Sequence, residues 1–371
     1  MNRKFLPINI PLVELTRRLL LSGGVSTRGI FLAFIYYLKF IIALPGTCIQ
    51  FLFYSGKIKR TVISKDPVFI LGHYRSGTTY LHKLIMSDKR FCYLSNYEMV
   101  CPFTNLLFGK WMKQLLQFII NKLKIRDDFF NNSIVQLHEP CEEDRFLIGR
   151  ASAFSAYWGF IFPKRSNKWL NCSVRFRNPK YLMGWKKEYI YTLKLLTFKN
   201  KGRQIVSKNP PNTERIKYLL EMFPHAKFIY IRRNPFHLFY SMRNMWIKGI
   251  KKNYIMQNFS NEQIEELFFQ HFEYLTQQYE RDKKLIPKGH LIEIQYEELE
   301  ADPLKVLKRI YSELHLPNFE AAIDNILPQL QKEKQYRKFQ YQYNEDTFKR
   351  VEERWGTYIN QWNYRTTELT I

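Results

Sequence analysis

The sequence predicts an α/β protein with a phosphate-loop-like parallel sheet flanked by helices on both faces. Three observations carry this. Pro67–Leu71 is a short, continuous apolar run that fits a strand buried on both sides, and Gln204–Ser207, Ala226–Ile231 and Leu291–Ile294 are further short strand candidates. Each is followed by helical periodicity, and alternation of strand with helix implies parallel pairing. The first run opens into Gly72-His73-Tyr74-Arg75-Ser76-Gly77-Thr78-Thr79-Tyr80, a glycine-bearing loop at the start of a helix.

Each element follows from its residues. After the loop, Leu81, Leu84 and Ile85 give a helix stripe. Asn212 reads as the N-cap of a helix using Ile216, Leu219, Leu220 and Phe223. Pro235 starts the helix after the third strand, and Ser260 with Gln263 forms a capping box opening a long helix. Leu304, Leu307 and Tyr311 mark another. Phe348, Val351, Trp355, Tyr358, Ile359 and Trp362 form a C-terminal stripe that reads as core.

The most hydrophobic segment, Ile30 to Tyr54, precedes the first strand. It carries Lys39, and Pro45-Gly46 should kink or break a helix there. Arg17, Arg18 and Arg28 lie before it, and Lys57, Lys59 and Arg60 after. This is read as an N-terminal apolar and basic segment, residues 1–60, associated with a membrane interface, followed by a catalytic domain over 61–371. A spanning helix and a buried core helix are the alternatives.

The chain has 371 residues, 46% of them hydrophobic and 25% charged, which excludes a disordered or low-complexity protein. A formal charge of +25 suits anionic ligands or an anionic membrane face. Five cysteines without a C-x-x-C pair give neither a disulfide framework nor a zinc site and point to a reducing compartment. No typical signal peptide is recognised, so the cytoplasm is expected, with possible attachment to the inner face of the membrane.

Placed between strand and helix, the loop collects backbone N–H groups and a helix N-terminus around one anion. Gly72 and Gly77 have Walker spacing, but Thr78 stands where the Walker lysine would, and Arg75 supplies the cation. The strand ending at Ile231 continues into Arg232-Arg233-Asn234-Pro235, where a nucleotide hydrolase would place a magnesium-binding Asp. Two cations there suit a second phosphate better than a metal. Ser241, eight residues after Arg233, falls about two helical turns on, so both side chains can meet one phosphate.

These motifs resemble the sulfotransferases that use 3′-phosphoadenosine-5′-phosphosulfate (PAPS), in their bacterial branch. Loop 72–80 is similar to the family's 5′-phosphosulfate loop, Arg233 to Ser241 to its 3′-phosphate site, and Tyr296-Glu297-Glu298-Leu299 to the segment whose tyrosine lies by the adenine. The phrases KNPPNTERIKYLLEMFP, FIYIRRNPFHLFYS and YEELEADPLKVLKRIY extend the likeness over about residues 66–360. The resemblance implies PAPS as cofactor, 3′,5′-adenosine bisphosphate as product and no metal. It implies cofactor contacts by Arg75, Ser76, Gly77, Thr78, Thr79, Tyr80, Lys208, Arg233, Ser241 and Tyr296. Lys208 matches the lysine of a K-x-H unit, but the histidine that serves as base in cytosolic animal enzymes is replaced by Pro210.

Two candidates for the base remain. Glu98, 23 residues after Arg75, resembles the catalytic glutamate of membrane-bound branches. His138 has the better intrinsic pKa for neutral pH. Glu142, Glu143 and Asp144 could orient His138 or form a structural ion-pair face. Arg75 and Lys208 are expected to stabilise the transferring group.

The acceptor expected is a small lipophilic alcohol and not nucleic acid. The aromatic run Ala153 to Phe162 suits a flat apolar alcohol or a packed core. The Lys, Ile, Asn and Tyr usage resembles that of gut Bacteroidetes proteins, a group containing sterol sulfotransferases, which implies a sterol or steroid hydroxyl. A lipid head group or glycan is the alternative acceptor. A P-loop kinase or a basic membrane-binding protein is the competing function.

Overall fold

The computed structural model describes residues 9–127, 133–334 and 344–364. It is a mixed α/β protein with a five-stranded sheet, whose strands are β1 (Val68–Leu71), β2 (Phe91–Cys92), β3 (Gln204–Lys208), β4 (Lys227–Arg232) and β5 (Leu291–Gln295). The four strands read from the sequence thus form, and β2 adds a two-residue strand too short to leave a pattern. The chain divides into two compact units. One comprises 1–65, 92–207 and 248–259, and the other 66–91, 208–247 and 260–371.

In the second unit β1, β4 and β5 lie side by side in parallel, with Phe69 opposite Phe228 and Ile229 opposite Ile292. All four residues of β1 are fully buried, which is why that strand reads as a continuous apolar run and not as an alternation. The helix Asn261–Asp282 carries the expected Ser260–Gln263 capping box. The C-terminal helix Glu345–Gln361 buries Val351, Trp355 and Ile359, with Trp355 against Phe239, Phe269 and Phe272. The stripe is core.

Asn212 is not an N-cap. It sits in the 3₁₀ turn Pro210–Glu214, and the following helix begins at Ile216. Its buried amide oxygen accepts from Asn209 and from Arg215, each at 3.2 Å. Two successive prolines, which lack N–H groups, favour this tight turn over an immediate α-helix.

In the first unit the helices Asn9–Leu21 and Thr27–Arg60 pack on a core containing Leu15, Phe40, Phe103, Trp158, Trp169 and Met256. The long helix runs through Pro45 without a break, against expectation. Thr47 donates to the Ala43 carbonyl at 2.7 Å, and Gly46 packs so closely on Thr104 that a Cβ would come within 2.7 Å. Side-chain hydrogen bonding and packing therefore hold the turn that the proline weakens. Arg18 is not an exposed basic flank. It is buried against Glu14, donates to the Ala153 carbonyl at 3.0 Å and lies 4.3 Å over the Trp169 ring.

Candidate active site

The second unit assembles the anion-binding loop from its backbone outward. Gly72, Arg75 and Gly77 have φ of 141°, 70° and 89°, so the chain reverses hand repeatedly between β1 and the helix Thr78–Ile85. Such alternation turns successive N–H groups toward one concavity. A Cβ on Gly72 would lie 2.4 Å from the Ile231 carbonyl oxygen, so β4 itself requires glycine there. Thr213 accepts the Gly72 N–H at 2.9 Å and fixes the loop's entry.

His73 is buried in this loop. Its Nδ1 faces the Tyr74 carbonyl at 2.9 Å, an atom that only accepts, so Nδ1 carries the proton and Nε2 accepts from His271 Nδ1 at 3.2 Å. Burial pushes the His73 pKa down to about 4. The loop histidine is neutral at physiological pH, which leaves Arg75 as the loop's cation.

Arg75, Arg233, Ser241, Gly77 and Tyr296 converge. Arg75 Nε donates to Ser241 Oγ at 2.8 Å, and an Arg233 guanidinium nitrogen donates to the Arg75 carbonyl at 3.0 Å. The Arg233 guanidinium lies 4.5 Å over the Tyr296 ring. That ring lies on Gly77 so tightly that a Cβ would approach Tyr296 Cδ2 to 2.1 Å. Tyr296 donates to Glu300 at 2.5 Å, and burial, followed by that hydrogen bond, raises its pKa. Arg233 Nε is buried without a hydrogen-bond partner among the described residues, a donor suited to an anion. His237, on the helix Pro235–Met245, is held neutral, its pKa pushed down to about 4 by burial and then by Arg233. Ser76, Thr78, Lys208 and Ser241 are buried in the same unit, while Thr79 and Tyr80 are half-buried. Burial, followed by nearby Glu333 and Glu300, pushes the Tyr80 phenol up to about 12.

Sequence reasoning gave Glu297, Thr213 and His271 no role. Glu297 accepts from the Asn234 N–H and from Tyr364, both at 2.9 Å, and so anchors the turn that carries Arg233. Its place inside Tyr296-Glu297-Glu298 was the available signal. Nothing local marked Thr213 or His271, whose partners lie far along the chain.

Glu98 and His138 belong to the first unit. Glu98 is buried on the short helix Asn96–Val100, accepts from the Ser95 N–H at 2.8 Å in a capping box, and pairs through its other oxygen with Lys199. The segment bearing His138 is stitched to this helix. Asn96 N–H donates to the Glu139 carbonyl at 2.9 Å, and Tyr97 N–H to the Leu137 carbonyl at 3.0 Å. His138 itself is exposed. The two candidates therefore occupy neighbouring segments, one carboxylate inside and one imidazole at the surface.

Glu142, Glu143 and Asp144 are buried. Glu142 accepts from the Tyr157 hydroxyl, and Asp144 from the Ala156 N–H at 2.5 Å. Glu142 and Asp144 brace the turn at 155–157, and none of the three carboxylates is on a solvated face. The aromatic run is likewise core, with Trp158 stacked on Phe162 at 6.0 Å and both side chains buried.

A glycine loop between a parallel strand and a helix, joined by an arginine and a serine from the strand–helix turn adjacent in the sheet, is an α/β arrangement suited to an anion and lacking the Walker lysine. The chain belongs to the sulfotransferase family, whose model matches residues 67–321. It is 28% identical over 327 residues, 87% of this chain and 82% of the relative, to an omega-hydroxy-beta-dihydromenaquinone-9 sulfotransferase, Stf3, of Mycobacterium bovis and of Mycobacterium tuberculosis. Two solved structures share the fold at 17% identity. They are sulfotransferase STF9 from Mycobacterium avium, with TM-score 0.73 over 96% of this chain and 91% of that one, and STF1 from Mycobacterium tuberculosis, with 0.68 over 95% and 93%.

Proposed function

We propose that this sulfotransferase takes its sulfonate group from PAPS and passes it to the hydroxyl of a lipophilic alcohol, at the inner face of a membrane. The observation that carries the donor is the convergence of Arg75, Arg233, Ser241 and Tyr296. Arg233 and Ser241 are assigned to the 3′-phosphate, Tyr296 to the adenine, and loop 72–80 with Lys208 to the 5′-phosphosulfate. The Arg233 Nε, which has no hydrogen-bond partner among the described residues, and the alternating loop backbone fit that ligand.

Transfer is an in-line displacement. The acceptor oxygen forms a bond to sulfur as the bond from sulfur to the bridging phosphate oxygen breaks, leaving 3′,5′-adenosine bisphosphate. Arg75, Lys208 and the loop N–H groups offset the charge on the leaving oxygen and the sulfonate oxygens. A base takes the hydroxyl proton as the S–O bond forms. Glu98 is assigned that role, with His138 as the second candidate. Lys199, paired with Glu98, positions the carboxylate.

The lipophilic acceptor is supported by the menaquinone-derived alcohol in the name of the 28%-identical relative and by the exposed apolar helix Thr27–Arg60. A sterol stays among the first alcohols to test, although the aromatic run that suggested a flat ring is core. The test is a PAPS-dependent screen of sterols, isoprenoid alcohols, fatty alcohols, phenols and glycans by mass spectrometry. Sulfated lipid alcohols with equimolar adenosine bisphosphate support the reading. Transfer confined to glycans or phenols overturns the acceptor class, and no nucleotide turnover with any of them overturns the donor.

A further inference from the structure

A groove of about 550 Å³ lies within the first unit, between the long helix and segment 100–108. Ile35, Leu38, Ile42 and Ala43 line it from the helix, and Pro102, Phe103 and Phe108 from the segment, with Lys39 the one charged lining residue among the described residues. The volume falls in the range of small-molecule sites. Val100, also in the lining, is the last residue of the helix that carries Glu98. Elsewhere the groove meets apolar surface. Ile35, Leu38 and Ile42 are themselves exposed, and only 17% of the most apolar window of their helix is buried.

A second apolar surface adjoins it. The ring of Phe108, in the lining, sits edge-on to Trp111 at 5.9 Å. Trp111 is the second residue of the helix Lys110–Lys122, where Leu115, Phe118 and Ile119 are exposed beside Lys110, Lys113 and Lys122. Basic and apolar side chains sharing an exposed helix suit a bilayer interface. Ile120 and Leu116 of that helix pack on a small core with Tyr97, Val135 and Leu137, while Leu115, Phe118 and Ile119 face outward.

We propose that this groove holds the hydrocarbon tail of the acceptor, a long-chain lipid alcohol drawn from the bilayer, and that the helix Lys110–Lys122 seats the groove's mouth on the membrane. The occupant follows from continuity. An apolar groove whose lining includes exposed residues of the long helix and, at Val100, the helix that carries Glu98 fits a molecule with a long apolar tail and a hydroxyl. The proposal rests on the sulfotransferase reading above.

The test uses the full chain with phosphatidylcholine vesicles containing a C18 alcohol that bears a diazirine at its tail. Photolabelling, read by peptide mass spectrometry, is expected in 35–46 and 100–108. Octadecan-1-ol in excess should displace it. Ala43→Trp, which fills the groove from the helix, should reduce labelling roughly tenfold or more. Ile30→Ser, on the same helix outside the lining, should not. Affinity for 3′,5′-adenosine bisphosphate should match wild type in both. Should Ala43→Trp lose that affinity through misfolding, Leu38→Ser at an exposed lining position must reduce labelling instead. Label spread elsewhere, or unchanged in a folded groove variant, overturns the proposal. Displacement by added phosphatidylcholine and not by octadecan-1-ol also overturns it, making the groove a bilayer-lipid site. Hexan-1-ol sulfated as efficiently as octadecan-1-ol, with the groove unlabelled, overturns it and leaves the sulfotransferase reading intact. Labelling without sulfonate transfer to any alcohol removes that reading, and the acceptor assignment with it.

Discussion

Gly77→Ala probes how the nucleotide loop and the tyrosine assigned to the adenine depend on each other. The new methyl meets two obstacles. At φ of +89° a side chain adopts a left-handed backbone, which costs roughly 1–2 kcal/mol. The methyl would also stand 2.1 Å from Tyr296 Cδ2, so the ring must move, an overpacking cost of about 1–3 kcal/mol. Displacing the ring also takes it from under the Arg233 guanidinium. In a Tyr296→Ala background only the backbone cost remains. The double-mutant cycle should therefore show a coupling of about 1–3 kcal/mol between positions 77 and 296. The assay is urea unfolding of the apoprotein, with calorimetric titration of 3′,5′-adenosine bisphosphate in parallel. Gly77→Ala should weaken binding markedly because it disturbs both loop and ring. Equal destabilisation by Gly77→Ala in the presence and absence of Tyr296 would refute the packing argument.

Other predictions follow from the same geometry. Glu98→Gln keeps the capping box, since Gln also serves at that position, but removes the proton acceptor, so turnover should fall by about 10²–10⁴ with near-normal cofactor affinity. His138→Ala should cost much less, and the reverse ranking in steady-state assays would move the base to His138. His73, with a folded pKa of about 4 against the usual 6.5, stays neutral while the unfolded chain takes up a proton. Its stability contribution is intact above pH 6.5 and is lost as pH falls toward 4, by up to about 3 kcal/mol. His73→Asn should flatten that part of the pH dependence of the urea midpoint, and an unchanged slope would contradict the assignment. Deleting residues 1–60 should destabilise the protein, not liberate an intact domain, because Leu15 and Phe40 belong to the first unit's core. Replacing Phe31, Phe34 and Phe53, all exposed, with Ser should instead reduce cosedimentation with anionic vesicles while leaving the unfolding midpoint near wild type.

The sheet was legible because β1 and the middle of β4 are buried, and burial on both faces writes an uninterrupted apolar run into the sequence, while β5 shows itself by alternation, with Ile292 and Ile294 buried and Glu293 exposed. The loop was legible because its glycines answer to local backbone needs at Gly72 and Gly77. Arg75 and Ser241 could be named separately, but their 2.8 Å contact joins residues 166 positions apart, and no spacing rule reports that. Pro45 misled for a related reason. A proline's local cost is visible in sequence, whereas the close approach of Gly46 to Thr104 that helps hold the helix is tertiary. The acidic cluster gave no sign of its partners for the same reason, since Tyr157, which donates to Glu142, and the Ala156 N–H, which donates to Asp144, lie 15 and 12 positions further on.

The central claim is that this chain recognises a nucleotide by its 3′-phosphate. Calorimetric titration of 3′,5′-adenosine bisphosphate against adenosine 5′-monophosphate, without magnesium, tests it independently of any acceptor. Hydrogen bonds to a charged group are each worth about 1.5–3 kcal/mol, so wild type should prefer the bisphosphate by roughly tenfold to a hundredfold or more. Arg233→Ala should erase most of that preference while leaving binding of the monophosphate nearly unchanged. Equal affinity of the wild-type protein for the two nucleotides, or a preference that survives Arg233→Ala, would contradict the account.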